Sequence, residues 1–271
     1  MYFKDDAIRI YNNFSQGIED FKKTEIGNLL AEAGKEVFAP SPLNIGGKYT
    51  DVVLLKTKVI EETNIQRDLN GLPALKENVR LNEAAAAKAN DMFANQYFEH
   101  ISPSGLNPGK LVQNHGYDYI VAGENLILGN FSSEKEVVAN WMASPGHRDN
   151  ILNNRFTEIG VAVIKGTYNG DVVWIGVQEF GLPLSSCSEP DAGLKSQIDL
   201  DKMQLDILAS QIDAKKDEID SANPRSNYYN QLIDSYNRLV KDYNALAETL
   251  KTLISSFNSQ VNIFNNCVAG E

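Results

Sequence analysis

The sequence predicts an α+β fold with helical extensions at both ends, on three observations. Helix-period runs precede a β-branched hairpin, the hairpin turn carries an Asn-Gly pair, and the last third repeats apolar residues every three or four positions without a break. The 271 residues are 42% hydrophobic and 23% charged, ordinary globular usage with ample material for a core.

Residues 5–35 carry Ile8, Tyr11, Ile18, Phe21, Leu29 and Leu30 between acids and lysines, which is helical spacing. "FAPSPLNIGGKY" then interrupts it with two prolines and a Gly pair, so residues 1–54 read as a helical arm and a turn-rich linker. Residues 55–182 have a different texture. A helix-like run and the Ala-rich "LNEAAAAKANDMFANQYF" lead through Gly- and Asn-rich loops to the strands "EIGVAVIKG" and "DVVWIGVQEFG". The "TYNGD" between them is a strong hairpin signal, and helices followed by an antiparallel hairpin predict stacked layers. Trp141, Trp174 and Ile151 or Leu152 read as core, with Arg148 and Asn150 tying loop carbonyls together.

Residues 183–271 read as an antiparallel helical hairpin of coiled-coil type. Its second helix shows a seam at Tyr229, Leu232, Tyr236, Leu239, Tyr243, Leu246, Leu250, Leu253, Phe257, Gln260 and Phe264. A weaker first helix runs through Ile198, Leu205, Leu208, Ile212 and Ile219, and "SANPRS" offers Asn223 as N-cap and Pro224 as first helical residue of the second. Cys187 lies just before the first helix and Cys267 continues the seam of the second. At about 1.5 Å per helical residue the two helices match in reach, so a disulfide closing the open end is expected, against the alternative of two unpaired thiols.

The net charge of −11 argues against nucleic acid or an anionic bilayer as partner, because the summed field repels both. No stretch of eighteen apolar residues is present, and "MYFKDDAIRIYNN" is too polar for a signal-peptide core. The chain is therefore expected to be cytosolic or to start after a removed signal or anchor. A disulfide favours the second.

Chemistry rests on few residues. Of three histidines, His115 in "QNHGYDY" is explained by exposure at a turn, whereas His100 and His147 each stand beside a Ser-Pro break that aims a side chain off a helix end. Glu124 in "VAGENLILG" is an acid inside an apolar run, a placement that calls for a partner. Two imidazoles and a carboxylate match the ligand set of an open zinc site with water in the fourth position; the alternative is a structural hydrogen-bonded cluster. Ser102 and Ser144 are close in sequence to the histidines, but no G-x-S-x-G elbow exists, and neighbours in a turn seldom align for proton transfer. A Gly-rich phosphate loop is also lacking, and neither cysteine lies near the histidines.

"TNIQRDLNGLPALKENVRLNEAAAAKANDMFANQYFEHISPSG", "AGENL", "VVANWMASPGHRDNILNNRFTEIGVAV" and "WIGVQEFG", in that order, resemble the CAP superfamily, the cysteine-rich secretory protein, antigen 5 and pathogenesis-related-1 group, in its bacterial, SCP-like extracellular branch. The likeness covers about residues 55–182. It implies an α-β-α sandwich with a small antiparallel sheet and a central cavity holding two histidines and two acids, in some members with zinc. His100 matches the first histidine, Glu124 the acid of the GEN motif and His147 the second histidine. The second acid normally follows the tryptophan by three positions; here Ser144 stands there, leaving the set one carboxylate short. Family activities range over sterol or lipid binding, antimicrobial defence, channel blocking and contested proteolysis. The resemblance thus implies an extracellular or cell-surface module for a protein, lipid or cell-envelope ligand, with a hydrolase built on His100, Glu124 and His147 as the alternative. The coiled coil suggests a homo-oligomer or a docking element.

Overall fold

The computed structural model describes residues 35–48 and 51–270; the helical arm read over residues 5–34 lies outside them. The chain divides into two compact units, and the boundary falls between Cys187 and Ser188.

The first unit runs β1 (Glu36–Phe38), β2 (Leu43–Gly46), α1 (Lys56–Leu69), β3 (Lys76–Glu77), α2 (Val79–Asn95), α3 (Pro108–Asn114), β4 (Tyr119–Gly129), α4 (Glu134–Ala143), α5 (Pro145–Ile151), β5 (Glu158–Tyr168) and β6 (Asp171–Pro183). The sheet order is β1-β4-β6-β5-β3, with β2 also on β4. Its centre is antiparallel. The expected hairpin is β5–β6, whose turn places Asn169 at φ 51° and Gly170 at φ 91°, the left-handed pair that an Asn-Gly turn favours.

The sheet is mixed rather than purely antiparallel, because β1, β2 and β3 add parallel to β4 and β5. "FAPSPLNIGGKY" is accordingly not a free linker: β1 and β2 flank Pro40 and Pro42 and pair along one edge of β4. Segments of three and four residues are too short to display alternation, so composition showed only the prolines between them.

The pleat sends alternate residues of the central strands to opposite faces. Leu126, Leu128, Ile175 and Val177 pack with Ala85, Ala89 and Met92 of α2. On the other face Ile127 and Gly176 meet Trp141 of α4. Helices therefore cover both faces, the expected α-β-α arrangement. Gly160 of β5 lets α2 approach: a Cβ there would lie 2.1 Å from the Leu81 carbonyl carbon.

In the second unit α6 (Ala192–Ser221) and α7 (Asn227–Ala269) form the antiparallel helical hairpin with a shared apolar core. Two local readings are corrected. Ser226, not Asn223, caps α7, its Oγ accepting from Tyr229 N at 3.1 Å, while Asn223 Oδ1 accepts from Arg225 N inside the connecting turn. The buried line of α7 passes through Val240, Ala247, Ile254, Val261 and Val268, one residue beyond Leu239, Leu246, Leu253, Gln260 and Cys267. Both lines repeat every 3.5 residues on average; the leucines flank the core, three of them partly buried against it. Both cysteines are disulfide-bonded, as the reach of the helices allows.

Candidate functional site

Pleat and register build the site before any chemistry enters. Glu124 on β4 stands directly opposite Glu179 on β6, so the two carboxylates share the face that carries Leu126 and Val177. Both are fully buried. Sequence reasoning missed Glu179, which supplies a second acid where Ser144 had seemed to leave a vacancy. The signal was an acid interrupting the apolar run of β6, but only pairing with β4 gives it a partner.

His100, five residues past the end of α2, donates Nδ1–H to Glu124 Oε1 at 2.6 Å. Its Nε2 lies on the carbonyl oxygen of Pro40. Both ring nitrogens are therefore engaged, one by a side chain and one by the main chain. Lys88 of α2, itself buried, donates to the His100 carbonyl at 2.7 Å and fixes the loop that presents the ring. Burial lowers the Lys88 pKa, while the charges of Glu124 and Glu179 raise it.

His147 lies in α5, whose N-cap Ser144 makes no cap bond because its hydroxyl meets His147 Nδ1 at 2.8 Å. The expectation that such neighbours misalign is corrected here: the first turn of α5 brings them into contact. Burial first, and the nearby His100 second, lower His147 to a pKa of about 4, with the Leu126 carbonyl pulling the other way. His147 is therefore neutral at pH 7, and its Nε2 has no partner among the described residues. His115 is half-buried, with Nδ1 on the Leu111 carbonyl at 2.9 Å, and takes no part.

A polar frame underlies the site on the opposite face of β4. Asn125 donates to the His147 carbonyl and to Gln178 Oε1, Asn150 donates to Asn125 Oδ1 at 2.9 Å, and Gln178 donates to Thr63 at 2.7 Å. Every link is buried, so these bonds fix where β4, α5 and α1 meet. Asn150 thus ties a loop as expected, and the Trp141, Trp174 and Ile151 core assignments hold.

Glu124 Oε2 and both oxygens of Glu179 lack a donor among the described residues. Protonation of one acid closes that gap. Burial, the Glu124 charge and a hydrogen bond to Glu124 hold the Glu179 pKa well above the usual carboxylate range, with Lys88 opposing. Because the folded state keeps a proton the unfolded chain releases near pH 4.5, stability falls as the pH rises through the elevated folded value. Glu179→Gln, an isostere of the neutral acid, is expected to gain about 1–3 kcal/mol at pH 8, no gain at pH 4, and a flatter alkaline limb in urea titrations. His147 acts with the opposite sign. Its contribution is complete above pH 6.5 and is lost as the pH falls through about 4, a loss of about 3 kcal/mol that urea midpoints across this window will show.

The expected zinc site does not fit these side chains as arranged. Among the described residues no group of three His, Cys, Asp or Glu side chains is placed to hold a metal ion. His100 would have to release Glu124 or Pro40 to turn a ring nitrogen toward a metal.

The sequence pattern of the cysteine-rich secretory protein family, CAP, matches residues 60–180. YkwD of Bacillus subtilis (strain 168), an uncharacterized protein, is 41% identical over 116 residues, 43% of this chain and 45% of its own. YlbC of the same organism, an uncharacterized membrane protein, is 32% identical over 117 residues, 43% of this chain and 33% of its own. The chain thus spans less than half the length of these relatives. Among solved structures, an extracellular protein containing a SCP domain from Bacillus anthracis str. Ames is 31% identical, with a TM-score of 0.41 over 46% of this chain and 39% of that one. Motif order and layer structure agree with the family pattern, and residues 60–180 of this chain carry the CAP pattern.

Proposed function

We propose that the CAP unit is a binding module acting outside the cell or at its surface, on a protein or other cell-envelope ligand, with the helical hairpin as a positioning or self-association element. The observation that supports this reading is the burial of the site's titratable groups. Glu124, Glu179 and His147 are 0–1% exposed and both His100 nitrogens are bound, so no base of the site reaches solvent to meet a substrate in this arrangement. The disulfide suits an oxidising compartment, and no described helix is long and apolar enough to cross a membrane.

One contact favours a second reading, a hydrolase. Ser144 Oγ and His147 Nδ1 have the nucleophile-base spacing, and a neutral His147 can accept a proton. The arrangement lacks an acid on His147 Nε2 to orient the ring. Turnover on peptide and ester panels is expected to be indistinguishable between wild type, Ser144→Ala and the His100→Ala, His147→Ala double variant. Turnover abolished by Ser144→Ala or by the double variant replaces the binding module with the enzyme.

A further inference from the structure

The segment that closes the site is part of the chain itself, and the way it is held identifies what it stands in for. β1 pairs with β4 up to Phe38 opposite Gly123, and β2 resumes at Leu43 opposite Ile127. Between these points the strap carries four residues, Ala39 to Pro42, against three on β4, Glu124 to Leu126. The extra residue lifts the strap off the ladder over Glu124, and neither Pro40 nor Pro42 has an N–H to return to it.

What grips the strap is almost wholly directed at its main chain. His100 Nε2 takes the Pro40 carbonyl, Asn150 Nδ2 approaches the Phe38 carbonyl at 3.3 Å, and Asn130 N donates to the Gly46 carbonyl at 2.8 Å. The Pro40 ring rests against Gly146, where an added Cβ would stand 2.7 Å from the Pro40 Cβ. The strap side chains add fewer contacts: all three of β1 are exposed, with Glu36 paired to Arg155 at 2.9 Å and Phe38 edge-on to Phe156, and Leu43 and Ile45 of β2 are half-buried. Main-chain carbonyls in an extended run are common to every peptide, so these main-chain contacts do not distinguish residues 36–46 from another extended chain, and what preference the strap has comes from side chains such as Glu36 and Phe38.

We propose that residues 36–46 are an intramolecular occupant of a peptide-binding site, and that the ligand class of this CAP unit is an extended polypeptide laid parallel along β4, with one carbonyl on His100 Nε2. The inference rests on the binding-module reading and specifies its ligand. Tethering gives the strap an effective concentration on the order of millimolar, so a peptide competes only when the strap is withdrawn. The apolar contacts that would resist withdrawal are few.

The test uses the full chain with residues 36–46 replaced by a Gly-Ser tract of equal length, whose ordering carries a larger entropic penalty. The probe is a fluorescent peptide of sequence EVFAPSPLNIG, followed by anisotropy and, in the same samples, by mass spectrometry. The replaced variant is expected to bind at least about tenfold tighter than wild type, and adding His100→Ala to weaken that binding about tenfold. Gly146→Ala, which pushes Pro40 away while keeping the strap sequence, guards against misfolding of the first variant. It is expected to speed amide exchange in residues 36–46 and to bind the peptide carrying Gly in place of Pro. Equal binding by wild type and both variants, or no binding by a variant whose β4–β6 amides stay protected, overturns the inference and leaves the binding module standing. Peptide that is bound and cut leaves the peptide site standing and overturns the binding module.

Discussion

Arg67→Met is expected to destabilise the CAP unit by roughly 3–5 kcal/mol, a loss readable as a lower urea midpoint in the fluorescence of Trp141 and Trp174, which both lie in that unit. Arg67 of α1 is fully buried, and its guanidinium hydrogen-bonds only to main-chain carbonyls among the described residues. Nε donates to Pro73 at 2.9 Å, Nη1 to Ile151 and Asn153 at 2.8 Å each, and Nη2 to Phe156 at 3.4 Å. Burial lowers its pKa, but Arg remains charged, so the carbonyl fan is what solvates the cation. Methionine fills a similar volume without donors and leaves those acceptors buried and unpaired. Ile151 ends α5 and two of the other three, Asn153 and Phe156, belong to the connection from α5 to β5, so the end of the helix that carries His147 and Asn150 loses its anchor. Arg67→Lys is expected to recover only part of the loss, because one ammonium does not reproduce the planar fork. A midpoint shift worth less than about 1 kcal/mol for Arg67→Met would show that water solvates these carbonyls in the variant and that the fan is not an anchor.

How much of this was legible in sequence depends on whether a feature is carried by side-chain pattern or by pairing. His100, Glu124 and His147 could be named because each breaks a local pattern: a histidine at a Ser-Pro helix boundary, an acid in an apolar run. Their convergence is what the family resemblance implies; in the structure His100 meets Glu124 at 2.6 Å and His147 lies near His100. Glu179 broke a pattern as well, yet its meaning lies in the β4–β6 register, set across more than forty residues of intervening chain. Lys88 was hidden in an Ala-rich helix whose buried face looked complete. The strap was misread as linker for the reason that makes it displaceable: main-chain contacts leave no trace in composition. In α7 the seam was off by one at alternate steps because Leu239 and Val240, or Leu253 and Ile254, are both apolar. Periodicity alone does not choose between them; packing against α6 does.

Reduction of the disulfide, or Cys187→Ser with Cys267→Ser, is expected to lower the stability of the helical hairpin by about 4 kcal/mol, the chain-entropy effect of opening a loop of about 80 residues. The hairpin is where such a tether matters. α6 and α7, of 30 and 43 residues, bury one stripe each, and their outer faces hold charged pairs such as Lys195–Asp199 and Lys215–Glu218, exposed contacts that add little. With one buried seam among the described residues, the hairpin depends on a restricted unfolded state more than the sandwich does. The two probes separate the units: far-UV ellipticity at 222 nm is dominated by the long helices, whereas tryptophan fluorescence reports only on the CAP unit. The reduced protein should therefore lose its helical signal at markedly lower temperature while the tryptophan transition moves by less than the equivalent of about 1 kcal/mol. Equal shifts in both probes would mean the units unfold as one, and no shift in either would mean that packing of Tyr236, Leu250 and Ile212 alone holds the hairpin closed.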